Sequence, residues 1–144
     1  MTISKLLRAY LTTGLLIAGG SSLAAPEVVV IASSSSPIST ASPADIARLF
    51  LGKTKSVNGQ TLTPVDQSKS SDVASRFYSD VVGKNSSQMR AYWSKLVFTG
   101  KGKPPQELGS SAAVLAAVAA DPALIGYIEA SAVNDSVKVL MTVK

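Results

Sequence analysis

The stretch Val28-Val29-Val30-Ile31 constrains the fold more than any other segment of the chain. Four consecutive β-branched apolar residues are typical of a strand that is buried on both faces. Such a strand needs other strands beside it and a layer of helices on each side. Because helical and strand patterns alternate along the rest of the chain, we predict an α/β protein with a mainly parallel sheet flanked by helices.

Capping residues and apolar spacing predict four helices. The first begins at Pro43, because Ser42 can cap it and proline suits the first helical position, and it ends at Gly52. Apolar residues at helical spacing predict two more, one that follows Val65 and runs up to Gly83 and one over 87–98. An alanine-rich stretch closed by Asp121-Pro122 predicts the fourth, over 111–120. The stretch 100–109, which contains two prolines, is predicted to be a loop.

Strands are predicted at four places: Val28–Ile31, Thr61–Val65, Ile125–Glu129 and Val137–Val143. Asn58-Gly59, just before the second strand, is a strong turn signal. We expect the first two strands and the helix between them to form one right-handed βαβ unit. Leu49 and Phe50 of that helix should pack on the sheet.

Residues 1–24 have the pattern of a secretory signal peptide. Lys5 and Arg8 precede a short apolar run, and the small residues Ser22 and Ala24 stand at the cleavage positions. A membrane anchor is the alternative, but the apolar run is short and is broken by glycines and threonines. We therefore predict an exported protein that comprises a single domain over residues 25–144, with no integral membrane segment after processing.

The composition excludes several kinds of chemistry. The chain has no histidine and no cysteine, so disulfides, thiol catalysis, the usual serine triads and the commonest zinc ligands are excluded. The spacing of the acidic residues does not indicate that any of them share a catalytic site; those considered are Asp66, Asp72, Asp80, Glu107 and Glu129. We predict no enzyme activity, no cofactor and no metal.

The basic residues do not indicate a nucleic-acid partner. Without residues 1–24 the chain has 12 basic and 9 acidic residues, and the basic ones are scattered. Lys101-Gly102-Lys103 is the nearest approach to a cluster, and we interpret it as a solvated loop.

The stretch Thr63 to Phe77, TPVDQSKSSDVASRF, leaves two interpretations open. A strand that leads through a polar loop into a helix N-terminus offers free N–H groups and a partial positive charge, which suit a small anion. The serines at 68, 70 and 71 could equally serve to cap the helix and solvate the loop. Lys69 and Arg76 could supply positive charge to an anion here, or could simply be solvated.

Three segments together resemble the phosphate-binding proteins of ABC transporters. They are DIARLFLGK at 45–53, TPV at 63–65 and IGYI at 125–128, in that order. The chain is most similar to short exported relatives with one periplasmic-binding-protein-like domain. The resemblance implies one lobe of a type II periplasmic-binding-protein fold and a location in the periplasm.

The resemblance also implies a candidate anion loop, consisting of Gln67, Ser68, Ser70, Ser71 and Asp72. In the family, an arginine follows the strand, and a serine-glycine-threonine run opens the helix. An ungapped alignment puts Gln67 at the arginine position and Ser71, Asp72 and Val73 at the other three, so only the serine is retained. Gln67 lacks the charge with which arginine binds an anion through two hydrogen bonds. Asp72 adds a side chain where the family has glycine, and Val73 lacks the hydroxyl of threonine.

Two functions follow from the resemblance and from these departures. The first is a binding domain for phosphate or another small oxyanion, associated with ABC transport or sensing. The second is a periplasmic interaction or adaptor protein that kept the fold and lost the ligand. Because a single lobe leaves its ligand half exposed, tight binding would need a protein partner or self-association.

Overall fold

A computed structural model describes residues 26–144, and the predicted signal peptide lies outside the described residues. The helices are α1 (Pro43–Phe50), α2 (Asp72–Phe77), α3 (Ser86–Phe98) and α4 (Ser111–Ala120). The strands are β1 (Val28–Ser33), β2 (Ser56–Val57), β3 (Gln60–Thr61), β4 (Thr63–Gln67), β5 (Gln106–Leu108), β6 (Leu124–Glu129) and β7 (Val137–Thr142). A π-helical turn, Tyr78–Val82, continues α2, and a short 3-10 turn, Ala130–Ala132, follows β6.

Five strands form one sheet in the order β5-β4-β6-β1-β7. β4 pairs in parallel with both β5 and β6, whereas β1 is antiparallel to both β6 and β7. Four strands therefore run in one direction and β1 alone runs in the other. The predicted α/β class with a mainly parallel sheet flanked by helices is confirmed.

The predicted βαβ unit is wrong. β6 lies between β1 and β4, and β1 runs opposite to β4. The reason is long-range pairing: β1 and β6 are both apolar on both faces, and they pair with each other along their length, with Val30 opposite Tyr127. The packing of α1 is nevertheless as expected, because Leu49 and Phe50 are both buried.

The sheet separates two apolar layers. Alternate residues of β1 point to opposite faces, so Val28 and Val30 contact the layer under α1, α2 and α3, whereas Val29 and Ile31 contact the layer under α4. Gly126 lets α4 approach the sheet closely, because a Cβ there would lie 2.5 Å from Cγ1 of Val114. Helices thus cover both faces, as the apolar run in β1 requires.

Local signals placed most element ends correctly. Ser42 caps α1 by accepting a hydrogen bond from the Asp45 N–H at 3.2 Å, and α4 has the predicted bounds. Asn58 and Gly59 both have positive φ and form the turn of the small β2-β3 hairpin, so the longer strand begins at Thr63 rather than Thr61. The predicted loop 100–109 contains the short strand β5.

Candidate functional site

A wide depression of about 580 Å³ lies at the carboxyl ends of the parallel strands β4 and β6. This is the edge at which open α/β sheets usually bind ligands. Its lining residues come from both halves of the chain: Pro26, Gln67, Ser71, Asp72, Val73, Gly109, Ser110, Ser111, Ala112 and Glu129.

Two helices begin at this depression. Ser71 caps α2 by accepting a hydrogen bond from the Ala74 N–H at 3.0 Å, and Ser110 caps α4 in the same way with Ala113 at 3.2 Å. The first N–H groups of each helix have no carbonyl partner within the helix. Two partial positive charges therefore meet at one edge of the sheet, and this arrangement favours an anion.

Gln67 forms part of the floor of the depression. It is 2 % exposed, and its Nε2 donates hydrogen bonds to the Tyr127 carbonyl at 2.8 Å and to Oγ of Ser111 at 2.9 Å. Oγ of Ser111 also lies 3.3 Å from the donating N–H of Glu129. Gln67 thus links β4, β6 and the first turn of α4, and both donors of its amide are used within the protein.

The charged side chains on the lining are acidic. Asp72 in the first turn of α2 and Glu129 at the end of β6 both face the depression, and the lining contains no lysine or arginine. A fully deprotonated anion bound here would be repelled by both carboxylates. A carboxylate can, however, accept a hydrogen bond from an oxyanion that still carries a proton.

The structure brings together three of the five predicted loop residues, namely Gln67, Ser71 and Asp72. Ser68 and Ser70 are not on the lining, and their hydroxyl groups are hydrogen-bonded to each other at 2.9 Å. The lining residues from α4 and β6 were missed, although Ser111 had been recognised as a helix start. The missing information was that the N-termini of α2 and α4, which lie on opposite faces of the sheet, meet at its carboxyl edge, and the sequence pattern does not give this.

The cations considered for this loop lie elsewhere. Lys69 lines a separate cavity of about 210 Å³ between α2 and α3, together with Tyr78, Lys84 and Met89. Arg76 pairs with Asp80 at 3.2 Å on the π-helical turn. Neither residue is on the lining of the depression.

A buried carboxylate precedes Gln67 in β4. Asp66 is 1 % exposed and accepts hydrogen bonds from the hydroxyl groups of Tyr78 and Tyr127 and, at 2.8 Å, from the Gln67 N–H. Burial raises the pKa of Asp66, and the three hydrogen bonds oppose that shift. Burial likewise raises the pKa of both tyrosines, and the nearby Asp66 charge adds to the shift. This cluster ties β4, β6 and the π-helical turn together.

Among residues 26–144, no group of three or more His, Cys, Asp or Glu side chains is placed to hold a metal ion. Within the same residues, no helix has both the length and the apolar character needed to cross a bilayer.

Three solved structures are similar to most of this chain. A protein described as a phosphate ABC transporter substrate-binding protein, from Clostridium perfringens and with bound phosphate, matches 80 % of this chain with a TM-score of 0.64 and 19 % identity. An ABC-type phosphate transport receptor from Vibrio cholerae matches 81 % with a TM-score of 0.62 and 15 % identity. PstS from Borrelia burgdorferi matches 80 % with a TM-score of 0.59 and 14 % identity.

The chain has the fold of part of these substrate-binding proteins. The predicted resemblance is thereby confirmed for the fold. The match covers 44 % of the Clostridium protein and 46 % of each of the other two, so the matched region spans less than half the length of these proteins. No protein-family model and no curated protein matches the chain.

Proposed function

We propose that this chain is an exported solute-binding lobe for phosphate or a closely similar oxyanion, acting in ABC transport or in sensing. The observation that carries the proposal is the meeting of two capped helix N-termini, those of α2 and α4, at the depression on the carboxyl edge of the sheet. The similarity of fold to proteins that bind phosphate supports the choice of anion.

The acidic lining selects among oxyanions. At neutral pH phosphate carries at least one proton, which Asp72 or Glu129 can accept in a hydrogen bond, whereas sulfate has none to offer. Repulsion is on the order of 4 kcal/mol for two unit charges 4 Å apart at an effective dielectric near 20, and an open site screens it further. The lobe should therefore prefer phosphate to sulfate and bind it weakly.

Calorimetric titration of residues 25–144 with phosphate, sulfate and simple organic phosphates tests this proposal. We expect phosphate to bind with a Kd of about 1 mM, equivalent to roughly 4 kcal/mol, and sulfate to bind more weakly. No heat with any of these anions would contradict the proposal. Micromolar binding of phosphate would show that the acidic lining does not weaken the site.

Asp72→Asn is the sharpest variant for the same titration. It removes a negative charge from the depression, and we expect sulfate to bind at least about three-fold more tightly because its repulsion falls. Asp135→Asn is the matched control, since Asp135 is also exposed and lies outside the depression. Substituting Gln67 or Val73 is less informative, because both side chains are buried.

A second function is favoured by the same lining. The lining has two carboxylates and no lysine or arginine, and the amide donors of Gln67 are already used within the protein. An adaptor that kept the fold and lost the ligand would have the same features. In that case the chain would act through a periplasmic protein partner or a second copy of itself. The titration distinguishes the two, because an adaptor gives no heat with any of the anions.

Export is a further part of the proposal. We expect the N-terminus of the processed protein to be Ala25, because Ser22 and Ala24 stand at the cleavage positions. Mass spectrometry of protein from the periplasmic fraction measures this directly. Recovery of chains that begin at Met1 from the membrane fraction would contradict it.

A further inference from the structure

Although basic residues are spread along the sequence, positive charge is concentrated on α3 and on the residues directly before and after it. Between residues 81 and 106 the chain has five basic residues and no acidic residue. The rest of 25–144 has seven basic and nine acidic residues, a net charge of −2. The basic residues of the segment are Lys84, Arg90, Lys95, Lys101 and Lys103.

The end of this segment also exposes apolar side chains. Phe98, the last residue of α3, is 92 % exposed, and Val97 beside it is 53 % exposed. We call Val97, Phe98 and the turn 99–103 the α3 tip.

Backbone hydrogen bonds fix the α3 tip. The Lys101 N–H donates to the Leu96 carbonyl at 2.9 Å, and the Gly100 N–H donates to the Val97 carbonyl at 3.1 Å. With Gly100 at a φ of 68°, these two bonds form a Schellman motif. The chain therefore turns sharply after Phe98, and the backbone of Lys101 is held against the last turn of α3.

Helix electrostatics explains only part of this arrangement. Lys95 and Lys101 lie at the negative end of the α3 dipole and stabilise it. That effect needs no apolar residue, and it does not account for an almost fully exposed phenylalanine. An apolar tip among lysines matches the boundary between lipid headgroups and acyl chains, where lysines meet phosphates and an aromatic ring enters the apolar layer.

We propose that the α3 tip docks on the surface of a membrane that contains anionic phospholipid. A protein partner would typically cover about 800 Å² of this chain, whereas the apolar contact offered here is two side chains at a projecting helix end. A bilayer can receive a single ring without a complementary pocket, and the net charge of the segment is complementary to anionic headgroups. Docking by the α3 tip does not require an anion in the depression.

Flotation with lipid vesicles tests the proposal. Residues 25–144 contain every described element and leave out the apolar stretch of the predicted signal peptide. We expect them to bind vesicles of phosphatidylcholine mixed with phosphatidylglycerol at least about ten-fold more tightly than vesicles of phosphatidylcholine alone. Added salt should weaken this binding.

Two variants should reduce the binding, and each has a matched control. The double change Lys101→Glu and Lys103→Glu should weaken it at least about twenty-fold, at about five-fold for each lysine removed. The same change at Lys69 and Lys144, two exposed lysines outside this segment, should weaken it less than about three-fold. Phe98→Ser should weaken it about ten-fold, and Val139→Ser, at another exposed apolar residue, should leave it unchanged.

Tryptophan fluorescence reports where the ring goes. The fluorescence of Phe98→Trp should move to shorter wavelength when anionic vesicles are added, whereas the buried Trp93 of the unchanged protein should give no shift. The proposal would be overturned if both double lysine variants lost vesicle binding equally, or if Phe98→Ser bound vesicles as tightly as the unchanged protein. So would binding to an acidic protein without binding to vesicles.

Discussion

Phe50→Ala is expected to lower the free energy of unfolding by about 3 to 5 kcal/mol. Phe50 is the last residue of α1 and is fully buried in the layer that joins α1, α2 and the sheet. Its ring lies edge-on to Phe77, with centroids 4.7 Å apart, and to Tyr127 at 5.8 Å. Truncation would leave a cavity at the centre of this layer and remove both aromatic contacts.

Urea denaturation of residues 25–144 measures the effect of this change. Phe98→Ala is the matched control, because it makes the same substitution at an exposed ring and should change the free energy of unfolding by less than about 0.5 kcal/mol. A loss below about 1 kcal/mol for Phe50→Ala would mean that α1 does not pack on the sheet as described.

The sequence predicts the elements of this fold better than their arrangement. Local chemistry determines where elements begin and end, as with Ser42 before α1 and Asn58-Gly59 in the hairpin. Strand order depends on pairing between distant residues, such as Val30 with Tyr127, and no local pattern reports it. β5 was missed because it is three residues long and largely polar.

The candidate site divides in the same way. Gln67, Ser71 and Asp72 were predicted because they lie within one stretch next to a recognisable strand and helix. The half that comes from α4 and β6 was not, because the pairing of β6 with β4, which brings the start of α4 to this edge, is a property of the sheet order. The role of Asp66 was also missed, since its partner Tyr127 is 61 residues away.

Asp66→Ala is expected to destabilise the protein by about 2 to 4 kcal/mol. The change removes the acceptor for the hydroxyl groups of Tyr78 and Tyr127, both of which are largely buried, and an unsatisfied buried hydroxyl costs about 1 to 3 kcal/mol. Adding Tyr127→Phe in the same background should recover part of the loss, because it removes one of the unpaired groups. If the two changes add without recovery, the hydrogen bond between these residues does not contribute as described.

Asp66 should also make stability depend on pH, in a direction opposite to that of a carboxylate in a surface ion pair. Burial raises its pKa in the folded protein above the value of about 3.9 for an unperturbed aspartate. The folded state therefore binds more protons than the unfolded state between these two pKa values, and stability falls as pH rises through that interval. The contribution of Asp66 is fully present below about pH 3.9 and is lost as pH rises through its pKa in the folded protein.

Asp66→Asn isolates this contribution, because asparagine keeps the shape of the side chain and does not titrate. The difference in free energy of unfolding between the unchanged protein and Asp66→Asn should favour the unchanged protein most at low pH and decrease as pH rises. Denaturation series at several pH values on both proteins measure this difference. Other carboxylates have the same effect in both proteins and so do not contribute to the difference. Asp45 is one of these, and hydrogen bonds from Ser42 and Arg48 lower its pKa. A difference that grows with pH would show that the hydrogen bonds from the two tyrosines outweigh burial, and that Asp66 is ionised in the folded protein with a lowered pKa.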